Sequence, residues 1–179
     1  MKTIIAILYA HLVKRRNKKW IDNPIKWQTN TFKKLIKNGV KTEFGKNHEF
    51  KNIKSYEQYK EKVPVRDYEE LRPYIEKVVN GEKNILWPGK PLYFAKTSGT
   101  TSGAKYIPIT KESIKTHIRS ARDALLNYFL KTKNFKPLNG KHMFLQGSPE
   151  LDKKQGIYHG RLSGISAHYV PKLFLRNRK

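Results

Sequence analysis

Pro91-Leu92-Tyr93-Phe94-Ala95-Lys96 runs into Thr97-Ser98-Gly99-Thr100-Thr101-Ser102-Gly103-Ala104-Lys105 and then into Tyr106-Ile107-Pro108-Ile109. This stretch reads as strand, loop, strand. The nine loop residues hold five hydroxyls, two glycines and a terminal lysine. Glycines let backbone N–H groups close in on an anion, the hydroxyls add donors, and the lysine supplies one cation. A triphosphate is the ligand that would use all three. The alternative is a flexible Ser/Thr/Gly turn, which the same composition also suits. The spacing is not that of a Walker A loop. Three residues, not four, separate Gly99 from Gly103; Ala104 stands before Lys105, and Tyr106 follows it where Ser or Thr belongs. A Walker loop also opens a helix whose N-terminus holds phosphate. This loop leads to a second strand, so its donors must be its own backbone and Thr97, Ser98, Thr100, Thr101 and Ser102. That suits a transient grip on a leaving pyrophosphate better than a permanent nucleotide cradle.

Working outward, helices precede the strands. Asn23-Pro24 opens a helix with proline in its first turn. Ile25, Phe32, Leu35 and Ile36 form its expected buried stripe, and Asn38-Gly39 its C-terminal cap. Ser55-Tyr56-Glu57-Gln58 and Asp67-Tyr68-Glu69-Glu70 read as capping boxes. The second starts a helix that buries Leu71, Ile75, Val78 and Val79 and closes at Gly81. After the loop, Thr110 caps a long helix with Ile114, Ile118, Ala121, Leu125 and Phe129 on one face. A further strand is expected over His142–Gln146, ending at Gly147-Ser148-Pro149. Helices first and then strands with an intervening helix predict an α/β domain with the loop at strand ends.

At 179 residues the chain has room for one domain with a core, and 8 Phe, 10 Tyr and 3 Trp argue for a folded protein. The absence of cysteine excludes disulfides, thiolate metal sites and cysteine nucleophiles; a cytoplasmic location is the expectation. The six histidines show no metal-ligand spacing, and His159 and His168 read as solvated or satisfied in packing. The net charge of +24 raises a second class of function, a basic binding module for nucleic acid or an anionic membrane. The excess is spread along the chain, however, and consists of 29 Lys against 9 Arg, whereas specific phosphate and base readers lean on arginine forks. No specific nucleic-acid partner is therefore expected. Thr3 to Val13 is an apolar run too short to span a bilayer, followed by Lys14-Arg15-Arg16-Asn17-Lys18-Lys19. It reads as a helix packed on the body, with weak membrane-surface contact as the alternative and no stable insertion.

The loop resembles the signature loop of adenylate-forming enzymes. Val63-Pro64-Val65-Arg66-Asp67-Tyr68, Leu86-Trp87-Pro88-Gly89-Lys90-Pro91, Phe94-Ala95-Lys96, Tyr106-Ile107-Pro108-Ile109-Thr110 and Phe144-Leu145-Gln146-Gly147-Ser148-Pro149 narrow the resemblance. With Thr42-Glu43-Phe44-Gly45 and Gly160-Arg161-Leu162-Ser163-Gly164-Ile165, they look like bacterial members of the Gretchen-Hagen auxin-responsive-promoter family, the acyl-acid amido synthetases.

The resemblance implies a two-step reaction. A carboxylic acid attacks the α-phosphate of ATP, with Mg²⁺ as counter-ion, and gives an acyl-adenylate and pyrophosphate. An amine, often of an amino acid, then takes the acyl group as an amide. The resemblance assigns Thr97, Ser98, Gly99, Thr100, Thr101, Ser102 and Gly103 to the nucleotide phosphates. Lys105 either acts as a cation toward them or pairs structurally. Arg161, Ser163 and Gly164 are the corresponding approach to the acyl and amine pocket, against the plainer reading of a glycine-containing turn. An acyl-CoA ligase shares the first half-reaction and is the neighbouring alternative. Residues 1–20 are expected to be an N-terminal helix with a basic block, and 21–179 an incomplete N-terminal domain of the adenylate-forming fold. The metal ligands, adenine contacts and C-terminal domain are expected outside this sequence, which would leave the chain inactive alone.

Overall fold

The computed structural model describes residues 2–97, 105–141, 143, 145 and 147–170. Among these, helices come first: α1 (Lys2–Ile21), α2 (Pro24–Gly39), α3 (Glu43–Asn47), α4 (Tyr56–Lys62) and α5 (Tyr68–Val79). The chain continues through β1 (Tyr93–Lys96), β2 (Tyr106–Ile109), α6 (Lys111–Thr132), β3 (Asp152–Lys154), β4 (Ile157–Gly160) and α7 (Leu162–Ala167).

Side chains at the helix starts satisfy backbone N–H groups that a helix leaves unpaired. Asp67 and Glu70 form a complete capping box on α5, and Thr110 with Ser113 forms one on α6. Ser55 caps α4, but the Gln58 side chain accepts from the N–H of Lys54 instead of closing the box on Ser55. Thr42 joins α2 to α3: its hydroxyl donates to the Gly39 carbonyl at 2.7 Å and accepts from the Gly45 N–H at 3.0 Å. A Cβ on Gly45 would collide with that same carbonyl, so only glycine lets the two helices meet this closely. Gly39 ends α2 for a different reason from the one the sequence suggests. It is not left-handed; the ring of Phe50 packs against it where a Cβ would stand 2.7 Å away. Gly81 does close α5 with a positive φ of 91°.

The strands form one mixed sheet in the order β2-β1-β4-β3. β1 and β2 are antiparallel, with Phe94 opposite Pro108 and Lys96 opposite Tyr106. β1 and β4 are parallel, with Phe94 beside His159 and Ala95 beside Gly160. β3 and β4 make a hairpin through Gln155 and Gly156, both at positive φ (50° and 80°), the turn geometry that matches strand twist. One face buries Phe94 and Ile157 against Ile75 and Val78 of α5 and against Ile85. The other buries Ala95 and Ile109 against Ile114 of α6 and Ile165 of α7. A third cluster joins Ala10 and Val13 of α1 to Leu126 and Phe129 of α6.

Two expected stripes shift. In α2, Ile25 and Leu35 are 72% and 49% exposed; the helix packs through Ile36 and through Phe32, which lies edge-on to Tyr56 and Tyr59. In α6, Leu126 is buried while Ala121 and Leu125 are exposed. The first half of α6 lies under the sheet and the second against α1, so its buried stripe drifts round the helix. The strand expected over His142–Gln146 falls partly outside the described residues, since His142, Phe144 and Gln146 are not among them; Met143 and Leu145 are in no strand and are 81% and 92% exposed.

Phe94 has no exposed surface and touches both α5 and the strands beside it. Phe94→Ala is expected to cost about 3–5 kcal/mol, read as a lower urea midpoint. Ile25→Ala is expected to stay within about 0.5 kcal/mol of the parent. A large loss at Ile25 would restore the stripe that the sequence suggests.

Candidate functional site

The loop leaves β1 at Thr97 and returns into β2 at Lys105. The Thr97 N–H donates to the Lys105 carbonyl at 3.0 Å, one further rung on the antiparallel pair. The strand-to-strand setting is therefore real, and no helix N-terminus follows the loop directly. Ser98, Gly99, Thr100, Thr101, Ser102 and Gly103 lie outside the described residues.

Lys105 is half-buried, with its Nζ 5.2 Å from the centre of the Tyr68 ring. The Tyr68 hydroxyl in turn accepts the backbone N–H of Tyr106 at 2.8 Å. Tyr68 is the first residue of α5, and the Asp67–Glu70 box that sets the start of that helix has bonds of 2.8 and 2.9 Å. The motif around Asp67-Tyr68 thus has a local purpose. It places an aromatic ring under the lysine and a hydroxyl against the strand that leaves the loop. A cation over an aromatic face gains about 0.5–2 kcal/mol depending on its desolvation.

On the other side of β1, the parallel pairing of Ala95 with Gly160 makes Thr97 and Arg161 leave the sheet at the same end. Arg161 is exposed and precedes α7 in extended backbone. The Ser163 hydroxyl accepts the Gly147 N–H at 2.9 Å. Gly164 is buried under the Ser148 carbonyl, with no room for a Cβ. Nε2 of His168 lies 2.7 Å from the Pro149 carbonyl. Gly147-Ser148-Pro149 is thereby clamped onto the start of α7. Ser163 and Gly164 build that clamp, and the stem of the exposed Arg161 side chain lies over Gly147.

His159 is the residue whose surroundings the sequence conceals. It is only 3% exposed, lies beside Phe94 and Tyr106, and its Nε2 has no hydrogen-bond partner among the described residues. The Lys96–Asp152 ion pair, 3.7 Å long, reaches across β4 on the same face. Burial, and then the charges of Lys96 and Lys154, hold the imidazole below its ordinary value of 6.5, against a smaller opposing pull from Asp152.

A cleft of about 1200 Å³ lies between α1, α2, α6 and the segment before β1, reaching Pro108 and Thr110. It sits at the end of β2 opposite the loop, so its size does not make it the place of phosphate chemistry. Among the described residues, no group of three or more His, Asp or Glu side chains could hold a metal ion. No step is therefore assigned to Mg²⁺ on these residues.

A family model described as the GH3 family N-terminal domain matches residues 13–175. The chain belongs to the GH3 family. It is 28% identical over 133 residues to the jasmonoyl–L-amino acid synthetase GH3.5 of Oryza sativa subsp. japonica, covering 73% of this chain and 22% of that protein. It is 33% identical over 123 residues to a probable indole-3-acetic acid-amido synthetase, GH3.13, of the same plant, covering 66% and 25%. Among solved structures, the GH3.15 acyl acid amido synthetase superposes with a TM-score of 0.67 at 23% identity, over 86% of this chain and 26% of that one. A structure of AtGH3.15 in complex with 2,4-DB matches with a TM-score of 0.56 at 22% identity, over 80% and 25%. At these identities the structural likeness establishes the fold. This GH3 chain spans about a quarter of the length of the relatives it matches.

Two substitutions probe this arrangement. Tyr68→Phe leaves the Tyr106 N–H without its acceptor and is expected to cost about 1–3 kcal/mol, with faster amide exchange at Tyr106. Unchanged exchange there would remove Tyr68 as the brace of the loop. The second concerns pH. Native His159 resists protonation and the unfolded side chain does not, so its neutral form costs nothing above 6.5 and stability falls as pH drops through that value. His159→Phe is expected to flatten the loss of urea midpoint between neutral pH and about pH 5; an identical acid dependence in the variant would refute this.

Proposed function

We propose that the chain is the phosphate-loop portion of an ATP-dependent acyl-acid amido synthetase. In the first step a carboxylate oxygen attacks the α-phosphorus of ATP, the bond to the β-phosphate oxygen breaks, and pyrophosphate leaves. In the second, an amine nitrogen attacks the acyl carbon of the adenylate and loses a proton, and AMP departs, leaving an amide. The observation that carries this reading is the shared exit. The hydroxyl-rich segment between Thr97 and Lys105 and the Arg161–Gly164 stretch that opens α7 leave adjacent parallel strands at one end of the sheet. Ligands of α/β sheets gather at the carboxyl ends of strands. The relatives, named as jasmonoyl–amino acid, indole-3-acetic acid-amido and acyl acid amido synthetases, supply the chemical class: acyl acids joined to amino acids. They favour the amine over a coenzyme A thiol as acceptor.

On this reading, negative charge builds on the β,γ-phosphates as the bond to the α-phosphorus breaks. Positioned N–H and hydroxyl donors from Ser98, Gly99, Thr100, Thr101, Ser102 and Gly103 stabilise it at the moment it appears. Lys105 adds its charge from the base of the loop, where Tyr68 limits its reach. Arg161 faces the acyl acid or the amino acid carboxylate. The segment alone does not complete the reaction, since it spans about a quarter of proteins with this activity in their names.

Two measurements test this. In the enzyme that carries the segment, Lys105→Ala is expected to lower kcat/KM for adenylation by about tenfold or more; an unchanged value removes Lys105 from the mechanism. Carboxylate-dependent ATP–pyrophosphate exchange by the 179-residue chain is expected to be absent, and robust exchange would place the whole adenylation machinery within it.

A further inference from the structure

Helix α1 is held to the body by one side only. Ala10, Val13 and Asn17 are buried, at 0%, 3% and 8% exposure, against α6. The Asn17 amide and the Arg16 guanidinium both donate to the Asp123 carboxylate, at 3.2 and 2.6 Å. On the opposite side Ile4, Ile5, Leu8 and Leu12 are 62%, 65%, 61% and 66% exposed, and nothing among the described residues covers them. At 3.6 residues per turn, Ile4, Ile5, Leu8, Leu12, Arg15 and Lys19 fall in one stripe about 100° wide. The stripe is aliphatic over its first half and basic over its second. The helix carries six basic residues and no acidic one.

Three kinds of partner can be weighed against this stripe. A nucleic acid would use the basic half and leave four aliphatic side chains in water. An apolar protein groove would use the aliphatic half and leave the cations unmatched. An anionic lipid surface uses both, because aliphatic side chains enter the acyl boundary while Arg and Lys stay at the charged headgroups. The GH3 domain match begins at residue 13, so Ile4 to Leu12 lie outside what aligns with that domain. No described helix is long and apolar enough to cross a membrane, so the contact would lie along the surface.

We propose that α1 is an interfacial anchor, docking the protein onto an anionic lipid surface through Ile4, Ile5, Leu8 and Leu12 with Arg15 and Lys19. This does not rest on the ligase reading, and either can fail without the other.

The test is co-sedimentation of the 179-residue chain with vesicles of phosphatidylcholine alone and of phosphatidylcholine mixed with phosphatidylserine. The chain is expected to bind the mixed vesicles, and added salt to weaken that binding without abolishing it. Leu8→Asp with Leu12→Asp is expected to reduce partitioning about tenfold or more, and so is Arg15→Glu with Lys19→Glu. These side chains lie outside the buried clusters, so circular-dichroism melting of both variants should match the parent. Three results overturn the proposal: no binding to mixed vesicles at low salt; binding by the Asp variant equal to the parent, which is adsorption by charge alone; or a dimer dispersed by the Asp variant with no vesicle-bound fraction, which makes a second copy the occupant.

Discussion

The parallel pairing of Tyr93–Ala95 with Tyr158–Gly160 is the constraint on which the site depends. Parallel neighbours point the same way, so the segments at their carboxyl ends must emerge at the same end of the sheet. The hydroxyl-rich loop continues from β1, and Arg161 and α7 continue from β4. Phe94 and Ile157, neither with any exposed surface, lock the pair against α5. Ala95, Ile114 and Ile165 lock it from the other face. The two ends of the candidate site are therefore positioned by a core they do not belong to.

The base of the loop shows how helix capping reaches a strand. Asp67 and Glu70 set where α5 begins, the first residue of α5 is Tyr68, and its ring and hydroxyl meet Lys105 and the Tyr106 N–H. The segment between β1 and β2 is thus tied to α5 through Tyr68, and its ends to each other through the Thr97–Lys105 backbone bond. A similar tie appears at Gly147-Ser148-Pro149, which the Ser163 hydroxyl and the space above Gly164 hold in place. Arg161, Ser163 and Gly164, the residues expected to approach substrate there, all pack against this segment as well.

Much of this was legible in the residues. The capping box at Asp67, the cap at Thr110, the strands on either side of the loop and the closure of α5 at Gly81 arise from short-range chemistry, and they stand where that chemistry puts them. The loop's departure from Walker spacing was also plain. β3 and β4 were not legible. Asp152, Lys153 and Lys154 are all exposed and offer no apolar alternation, and β4 has four residues. The one local signal was Gln155-Gly156, a two-residue turn ending in glycine. The stripes of α2 and α6 were misplaced because periodicity says that a helix has a buried face but not which neighbours will share it.

The sequence by itself determined where α2, α4, α5 and α6 start and that the hydroxyl-rich segment joins two strands, because each is decided within a few residues of chain. Only the tertiary structure decided that β1 has β4 as its parallel neighbour, that His159 is buried with a nitrogen unpartnered among the described residues, and that Lys105 rests on Tyr68. It also decided that α1 turns one apolar stripe inward and leaves a second one outside. Such facts depend on which faces meet across long separations in sequence. The local pattern of residues is the same whether a face meets a core, a second strand or water.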